Sequence, residues 1–393
     1  MKTVYILDSL RTACGKANRG SFRYERPDSL GGAVIRALLA KHKEIDPKQI
    51  DDLIVGCAFP EASQGLNIAR QVGILGGLPV SVPAMTVNRF CSSGLQSIAM
   101  AAERIMTGGA DIIIAGGVES MSLVPMGGLS FQPNPGLVED YPEVYINMGL
   151  TAENVASKFD ISREAQDEFA FYSHQKAINA QNEHYFVEQI VPYDVTFRSM
   201  GADGNPVEKS FSFSVDEGPR ADTAIDKLAK LKPVFKMRGS VTAGNASQMN
   251  DAASFAIVIS EEKLHELGLK PMARYLGFAS AGVAPELMGI GPVEAIPKLE
   301  KLTGINRADI DLIELNEAFA AQALGVIKAT NLNPERININ GGAIAMGHPL
   351  GATGAKLTTQ ILHDLKRLNK KYGMVTMCVG GGMGAAGLFE NVS

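Results

Sequence analysis

Ile45-Asp46-Pro47-Lys48-Gln49-Ile50-Asp51-Asp52-Leu53-Ile54-Val55-Gly56-Cys57-Ala58-Phe59 has a counterpart late in the chain, Ile305-Asn306-Arg307-Ala308-Asp309-Ile310-Asp311-Leu312-Ile313-Glu314-Leu315-Asn316-Glu317-Ala318-Phe319. In each copy a short apolar strand runs out into a loop. Downstream in both comes another strand, then a turn of glycines or small residues (88–94 and 340–354), a helix of small residues, and an apolar strand ending in glycines. The match reads as two copies of one α/β unit, against the alternative of a chance low-identity self-match.

Working outward, residues 1–121 alternate short apolar runs (Val4 to Leu7, Leu53 to Val55, Ile112 to Ala115) with helix-like stretches (Leu30 to Lys43, Ser92 to Met106), which is α/β texture. From Ser122 to about Ser247 the pattern loosens, with prolines at 125, 133, 135 and 142 and a charged helix candidate from Ser162 to Glu183. This reads as an inserted, loop-rich region. The alternation resumes at Asn250. The expected organisation is a first half, 1–121, completed by 248–270, an insert at 122–247, and a second half at 271–393.

A chain of 393 residues is long enough for two or three domains. Charged residues are 20% and the net charge is -5, with no long single-sign run, so neither a nucleic-acid surface nor a polybasic membrane tether is expected. No apolar stretch reaches membrane-spanning length, and the early charges of Met1 to Asp8 do not suit a signal peptide. A cytoplasmic location is expected. The four cysteines, Cys14, Cys57, Cys91 and Cys378, are widely spaced, which suggests neither a zinc site nor a disulfide framework.

Four blocks carry candidate chemistry. In Val87-Asn88-Arg89-Phe90-Cys91-Ser92-Ser93-Gly94-Leu95-Gln96 an apolar strand breaks at Cys91 and a helical pattern follows. A thiol at a helix N-terminus is stabilised as the thiolate; a free cysteine is equally at home as a small core residue. In Asn340-Gly341-Gly342-Ala343-Ile344-Ala345-Met346-Gly347-His348-Pro349-Leu350-Gly351-Ala352-Thr353-Gly354 the glycines and Pro349 set His348 in a tight loop. A phosphate-binding loop is excluded there because Ala355 separates Gly354 from Lys356. In Cys378-Val379-Gly380-Gly381-Gly382-Met383-Gly384 three glycines either expose N–H groups for an oxyanion or make a tight turn. Asn316, at a strand end before a helix, is by itself a helix cap.

With these motifs the chain resembles the thiolase family over nearly its whole length. The resemblance is carried by 88–96, 340–354 and 378–384, together with Gly116-Gly117-Val118-Glu119-Ser120-Met121-Ser122, Thr242-Ala243-Gly244-Asn245-Ala246-Ser247 and Asn316-Glu317-Ala318-Phe319-Ala320. It implies duplicated α/β halves packed as a layered αβαβα sandwich with an inserted loop domain, in a homodimer or homotetramer. It further implies Cys91 as acylated nucleophile, His348 as its base, Cys378 as second acid/base, Asn316 as holder of a catalytic water, and the Cys91 and Gly380 amides as an oxyanion site. Arg220 and Ser247 are then expected to contact coenzyme A, with Met148, Phe235, Ala318 and Phe319 lining the pantetheine and acyl pocket. Coenzyme A and acyl-CoA are the implied partners, as substrates; no metal or redox cofactor is implied. Cys14 and Cys57 are assigned to structure.

The chemistry asks for such a set. Breaking the C2–C3 bond of a 3-oxoacyl thioester needs a nucleophile that is also a good leaving group, and a cysteine thiolate is both. A neighbouring imidazole and a helix terminus are expected to raise the thiolate fraction. The expelled enolate needs a proton, for which the resemblance nominates Cys378. Three rivals stand beside this reading: a ketosynthase, which has a histidine or asparagine in place of Cys378; a hydrolase using Cys91, His348 and Asn316; and a non-catalytic thioester-binding protein.

The implied activity is thiolytic cleavage of 3-oxoacyl-CoA in fatty acid degradation, the alternative being condensation of two acetyl-CoA by an acetoacetyl-CoA thiolase. Acetoacetyl-specific members usually carry His-Met-Gly where this chain has Asn147-Met148-Gly149. A missing imidazole is expected to leave room for a longer acyl tail.

Overall fold

The computed structural model describes residues 2–200 and 205–393. Among the described residues twelve strands are formed: β1 (Val4–Arg11), β2 (Gly15–Lys16), β3 (Asp52–Gly56), β4 (Ala84–Val87), β5 (Ile112–Ser120), β6 (Tyr193–Met200), β7 (Pro206–Phe213), β8 (Asn250–Ser260), β9 (Ala273–Gly282), β10 (Leu312–Leu315), β11 (Tyr372–Val379) and β12 (Met383–Asn391). Ladder pairing runs β4-β3-β5-β8-β1 and then β9-β12-β11-β10, with β2 on β8. The two runs join only where Tyr5 faces Arg274 and Ile6 faces Ala273. In both, the inner pair is parallel (β3 with β5, β10 with β11) and the next is antiparallel (β5 with β8, β11 with β12). In the second half the place corresponding to β4 holds a single bridge, Ile337 to Ile313.

The repeat extends to the turns. Asp46 caps the 3-10 turn Pro47–Gln49 through Lys48 N–H, and Asn306 caps Arg307–Asp309 through Ala308 N–H. Each turn delivers the chain into the equivalent strand, β3 or β10.

Five layers result. The helices Pro27–Lys41 and Ile68–Leu75 cover one side of the first sheet, with Leu30, Val34, Ile35 and Leu38 in its core. Gly291–Thr303 and Ala320–Thr330 cover the far side of the second. Between the sheets lie Ser93–Met106 and Leu350–Leu368, whose core mixes Leu95, Ile98, Leu357 and Ile361 with Ile54, Val258, Val375 and Phe389 from both sheets. Leu350–Leu368 is buried on nearly every face, as a helix between two sheets must be. Its first turns are made of small residues because the other central helix crosses there: a side chain on Gly354 would collide with the Leu95 backbone. No helix among the described residues is long and apolar enough to cross a membrane.

Between β5 and β8 the chain leaves the sheet. It forms Met148–Lys158, the 20-residue helix Arg163–Asn182, the β6–β7 hairpin and Ile225–Ala229, with irregular stretches between. Ser162 caps the long helix by accepting from Ala165 N–H. A buried ion pair fastens this segment to the first sheet: the Arg11 guanidinium on β1 donates through both terminal nitrogens to Asp216, at 2.8 Å each. Leaving either charge unpaired there costs about 3–5 kcal/mol.

Candidate active site

A cleft of about 770 Å³ opens between the two halves and the segment joining β5 to β8. Cys91, His348 and Cys378 all line it, and so do Met148, Arg220, Phe235, Ser247, Ala318 and Phe319. Asn316 and Gly380 lie behind the wall, buried, and reach the cleft through His348 and Cys91.

Cys91 is set by its own motif. β4 ends, Phe90 takes φ 40, and the 3-10 turn Phe90–Ser92 feeds the helix Ser93–Met106. Left-handed backbone at a phenylalanine is strained and needs external support. Asn88 Oδ1 accepts from Phe90 N–H at 2.8 Å while its Nδ2 donates to Ala58 O at 2.9 Å; Ser93 Oγ accepts from Arg89 N–H and donates to Phe90 O. The turn thus aims the thiol into the cleft.

The expectation that helix and imidazole raise the thiolate fraction needs correction. Burial pushes the Cys91 thiol up to about 12, and the amide N–H groups of Gly380 and Cys91, which point at the sulfur, only partly offset it. Burial also raises Cys378 well above the ordinary thiol range, with the neighbouring Cys91 adding to the shift. His348 is held down to about 3, first by burial and second by the charge of Lys356. Burial therefore favours the neutral form of both thiols and of the imidazole in the empty cleft.

His348 has one tautomer that fits its partners. Thr353 Oγ1 gives its proton to Pro349 O at 2.9 Å, so Nδ1–H donates to Thr353 Oγ1 at 2.7 Å. Nε2 then carries the lone pair and accepts from Asn316 Nδ2 at 3.4 Å. Asn316 Oδ1 is buried with no protein partner. Asn316 is thus more than a helix cap, because the helix after β10 starts only at Ala320, with Phe319 at its cap position.

The walls are mainly apolar. Met148, Met288, Ala318, Phe319 and Phe235 cluster with Cys378, the two phenylalanine rings meeting edge-on at 6.0 Å. Ala17, Met121 and Leu350 surround Cys91. Ser247 lines the cleft and donates its N–H to Ala318 O at 2.9 Å. Arg220 stands at the exposed rim, paired with Asp222, near Lys16, Arg19 and Lys227. Cys14 and Cys57 are buried outside the cleft lining.

One expectation is overturned. The Asn147 side chain accepts from Gly149 N–H as the cap of Met148–Lys158, and the residue is exposed and does not line the cleft. The exchange of histidine for asparagine at 147 therefore frees no room beside an acyl tail. Sequence reading also missed Thr353, which fixes the His348 tautomer although it lies within the quoted glycine block. It missed Lys16, His174, Met288 and Leu231 as cleft residues, and these carry no local motif.

The sequence likeness accords with this architecture. Models described as the N-terminal and C-terminal domains of thiolase match residues 4–262 and 269–391. A 3-ketoacyl-CoA thiolase of Bacillus subtilis (strain 168) is 54% identical over 390 residues, covering 99% of this chain and all of that one. An acetyl-CoA acetyltransferase of Chromobacterium violaceum is 44% identical over 397 residues, covering 98% of each. The crystal structure of the Bacillus anthracis acetyl-CoA acetyltransferase superimposes with a TM-score of 0.89 at 39% identity, over all of this chain and 99% of that one. By class the protein is an acyltransferase. The chain belongs to the thiolase family.

Proposed function

We propose that the chain cleaves 3-oxoacyl-CoA with coenzyme A, giving acetyl-CoA and an acyl-CoA two carbons shorter, through an acyl-Cys91 intermediate. The carrying observation is the convergence of two thiols and one imidazole, from both halves of the molecule, on one mainly apolar cleft. Sγ of Cys91 attacks the 3-oxo carbon while its proton passes to Nε2 of His348, whose lone pair is freed by release of the long 3.4 Å bond from Asn316 Nδ2. Burial disfavours the charged form of both groups, so transfer that accompanies attack fits the site better than transfer that precedes it. The Cys91 and Gly380 N–H groups, already directed at the sulfur, are suited to meet the oxyanion that forms one bond away.

The C2–C3 bond then breaks and Cys378 gives its proton to C2 of the departing enolate. Asn316, beside His348 and with Oδ1 buried and without a protein partner, is suited to hold a water against the thioester oxygen. The thiol of coenzyme A finally attacks acyl-Cys91 and breaks the Cys91–acyl bond; between them the Cys378 thiolate and the protonated His348 take up the thiol proton and return one to the departing Cys91 sulfur, which restores the starting forms. Arg220 and its neighbouring cations suit the phosphates, and Met148, Phe235, Ala318, Phe319 and Ser247 suit the pantetheine arm and acyl chain. No metal or redox group enters this scheme. A homodimer or homotetramer in the cytoplasm completes the reading.

Brief incubation with a 3-oxoacyl-CoA without free coenzyme A, then mass spectrometry of a quenched digest, is expected to find the shortened acyl group on Cys91. A label on Cys14 or Cys57 with Cys91 free would overturn the scheme. Steady-state thiolysis across chain lengths separates this substrate class from acetoacetyl-CoA: a profile flat or falling from four carbons upward selects the acetoacetyl-CoA thiolase reading.

A further inference from the structure

Lys356 lies on the central helix Leu350–Leu368 and is only 2% exposed. Burying an ammonium costs several kcal/mol unless it is compensated; Lys356 makes no direct ion pair among the described residues and meets the buried carboxyl groups of Asp216 and Glu314 only at longer range. Its stem runs back toward the helix N-terminus, the end where a cation is least favoured. There Nζ donates to the carbonyl of Gly347 at 2.7 Å. That single short bond ties the side chain to the loop that carries His348.

Gly347 has φ 97, a conformation closed to ordinary side chains, and a Cβ there would collide with Asn250. Its carbonyl belongs to the same peptide plane as the His348 N–H, which donates to Gln248 O and to Asn250 Oδ1, each at 3.1 Å. Lys356 thus grips one edge of this plane while Gln248 and Asn250 grip the other. Rotation of the plane would swing the imidazole away from Thr353 and Asn316. We infer that Lys356 is a positioning residue for His348, clamping the Gly347–His348 peptide so that Nε2 faces the cleft.

The inference rests on the proposed role of His348 at Cys91. Lys356→Met removes the donor and the charge but keeps an unbranched stem; because the charge also faces Asp216 and Glu314, Tm is expected to fall somewhat and activity is read per folded molecule. The expected result is thiolysis kcat per folded molecule about 100-fold lower, the effect of a small misplacement of a catalytic group, and KM within about threefold. Lys356→Gln, a shorter neutral donor, is expected to fall between. A structural role alone would lower Tm and leave kcat per folded molecule intact, and kcat within about threefold of wild type overturns the inference. If the methionine variant does not fold, the glutamine variant is judged by the same criterion. Alkylation of Cys91 by iodoacetamide is followed in parallel and should slow in both variants. Absence of thiolysis in the wild type would count against the proposed function, and the alkylation ratio would then decide the role of Lys356.

Discussion

In the second half β11 passes to β12 through Gly380-Gly381-Gly382, whereas in the first half the equivalent step from β5 to β8 takes the chain through residues 121–249. The short connection brings bare backbone N–H to the Cys91 sulfur. The long one walls the cleft with Met148, Arg220, Phe235 and Ser247. The same asymmetry recurs at the strand ends: β3 stops at Gly56, where a side chain would collide with the Ser93 backbone, and the matching position after β10 is Asn316, set against His348. One duplicated backbone has been divided between tasks. Tight junctions carry the chemistry, and the long excursion supplies walls and rim.

This division is most severely tested at the thiols, one from each half. Cys91→Ala and Cys378→Ala are each expected to lower overall thiolysis by at least about 10⁴-fold, as losing a nucleophile or an essential proton donor does. They should separate on a half-reaction. Cys378→Ala should still take an acyl group from a simple acyl-CoA onto residue 91, a transfer that involves no carbon acid, and Cys91→Ala should not. Near-normal thiolysis by Cys378→Ala would remove the second half from the chemistry and favour a hydrolase.

A second test concerns charge in the empty cleft. With Cys91 pushed up to about 12 and His348 held down to about 3, a raised thiol stays protonated across the neutral range. Since the thiolate is the reactive form, the iodoacetamide rate constant at Cys91 should climb roughly tenfold per pH unit between pH 7 and 9. A plateau reached below pH 7 would mean a preformed thiolate–imidazolium pair, and the resting state argued above would be wrong.

The joint between the halves gives a smaller effect. Gly354→Ala forces the two central helices apart at Leu95. Overpacking of this kind costs about 1–3 kcal/mol, so the urea midpoint should fall accordingly. An unchanged midpoint would mean that the helices are less tightly engaged than the structure has them.

Much of this was legible because the informative residues sit at breaks in pattern. Cys91 and His348 announce themselves where an apolar strand or a glycine block meets a helix, and the repeat aligns β3 with β10. Strand ends were underread wherever polar residues are buried in pairs. β1 continues past Leu7 because Asp8 is paired with Lys41 and His42, and Arg11 with Asp216. β5 continues past Ala115 because Glu119 accepts from Ala58, Gly351 and Gln64. Such partners lie tens to hundreds of residues away, and no local pattern encodes them. The cleft rim was opaque for the same reason, since Lys16, His174 and Leu231 meet only after the excursion folds back.

The smallest expected effect separates a likeness in sequence from a fact of geometry. Asn147 differs from the histidine usual in acetoacetyl-specific relatives, and read from the sequence alone that exchange widens the acyl pocket. In the fold its side chain caps Met148–Lys158 and lies off the cleft. Asn147→His should therefore cost about 1 kcal/mol through the lost cap and leave the dependence of kcat/KM on acyl length unchanged. Met148, the next residue, does face the cleft beside Phe235 and Phe319. Met148→Ala should shift the preference toward longer chains, each additional buried methylene contributing about 0.8 kcal/mol until the space is filled. If Asn147→His narrows the chain-length profile while Met148→Ala leaves it untouched, the capping residue governs the pocket after all, and the assignment of binding to the inward face of this excursion fails.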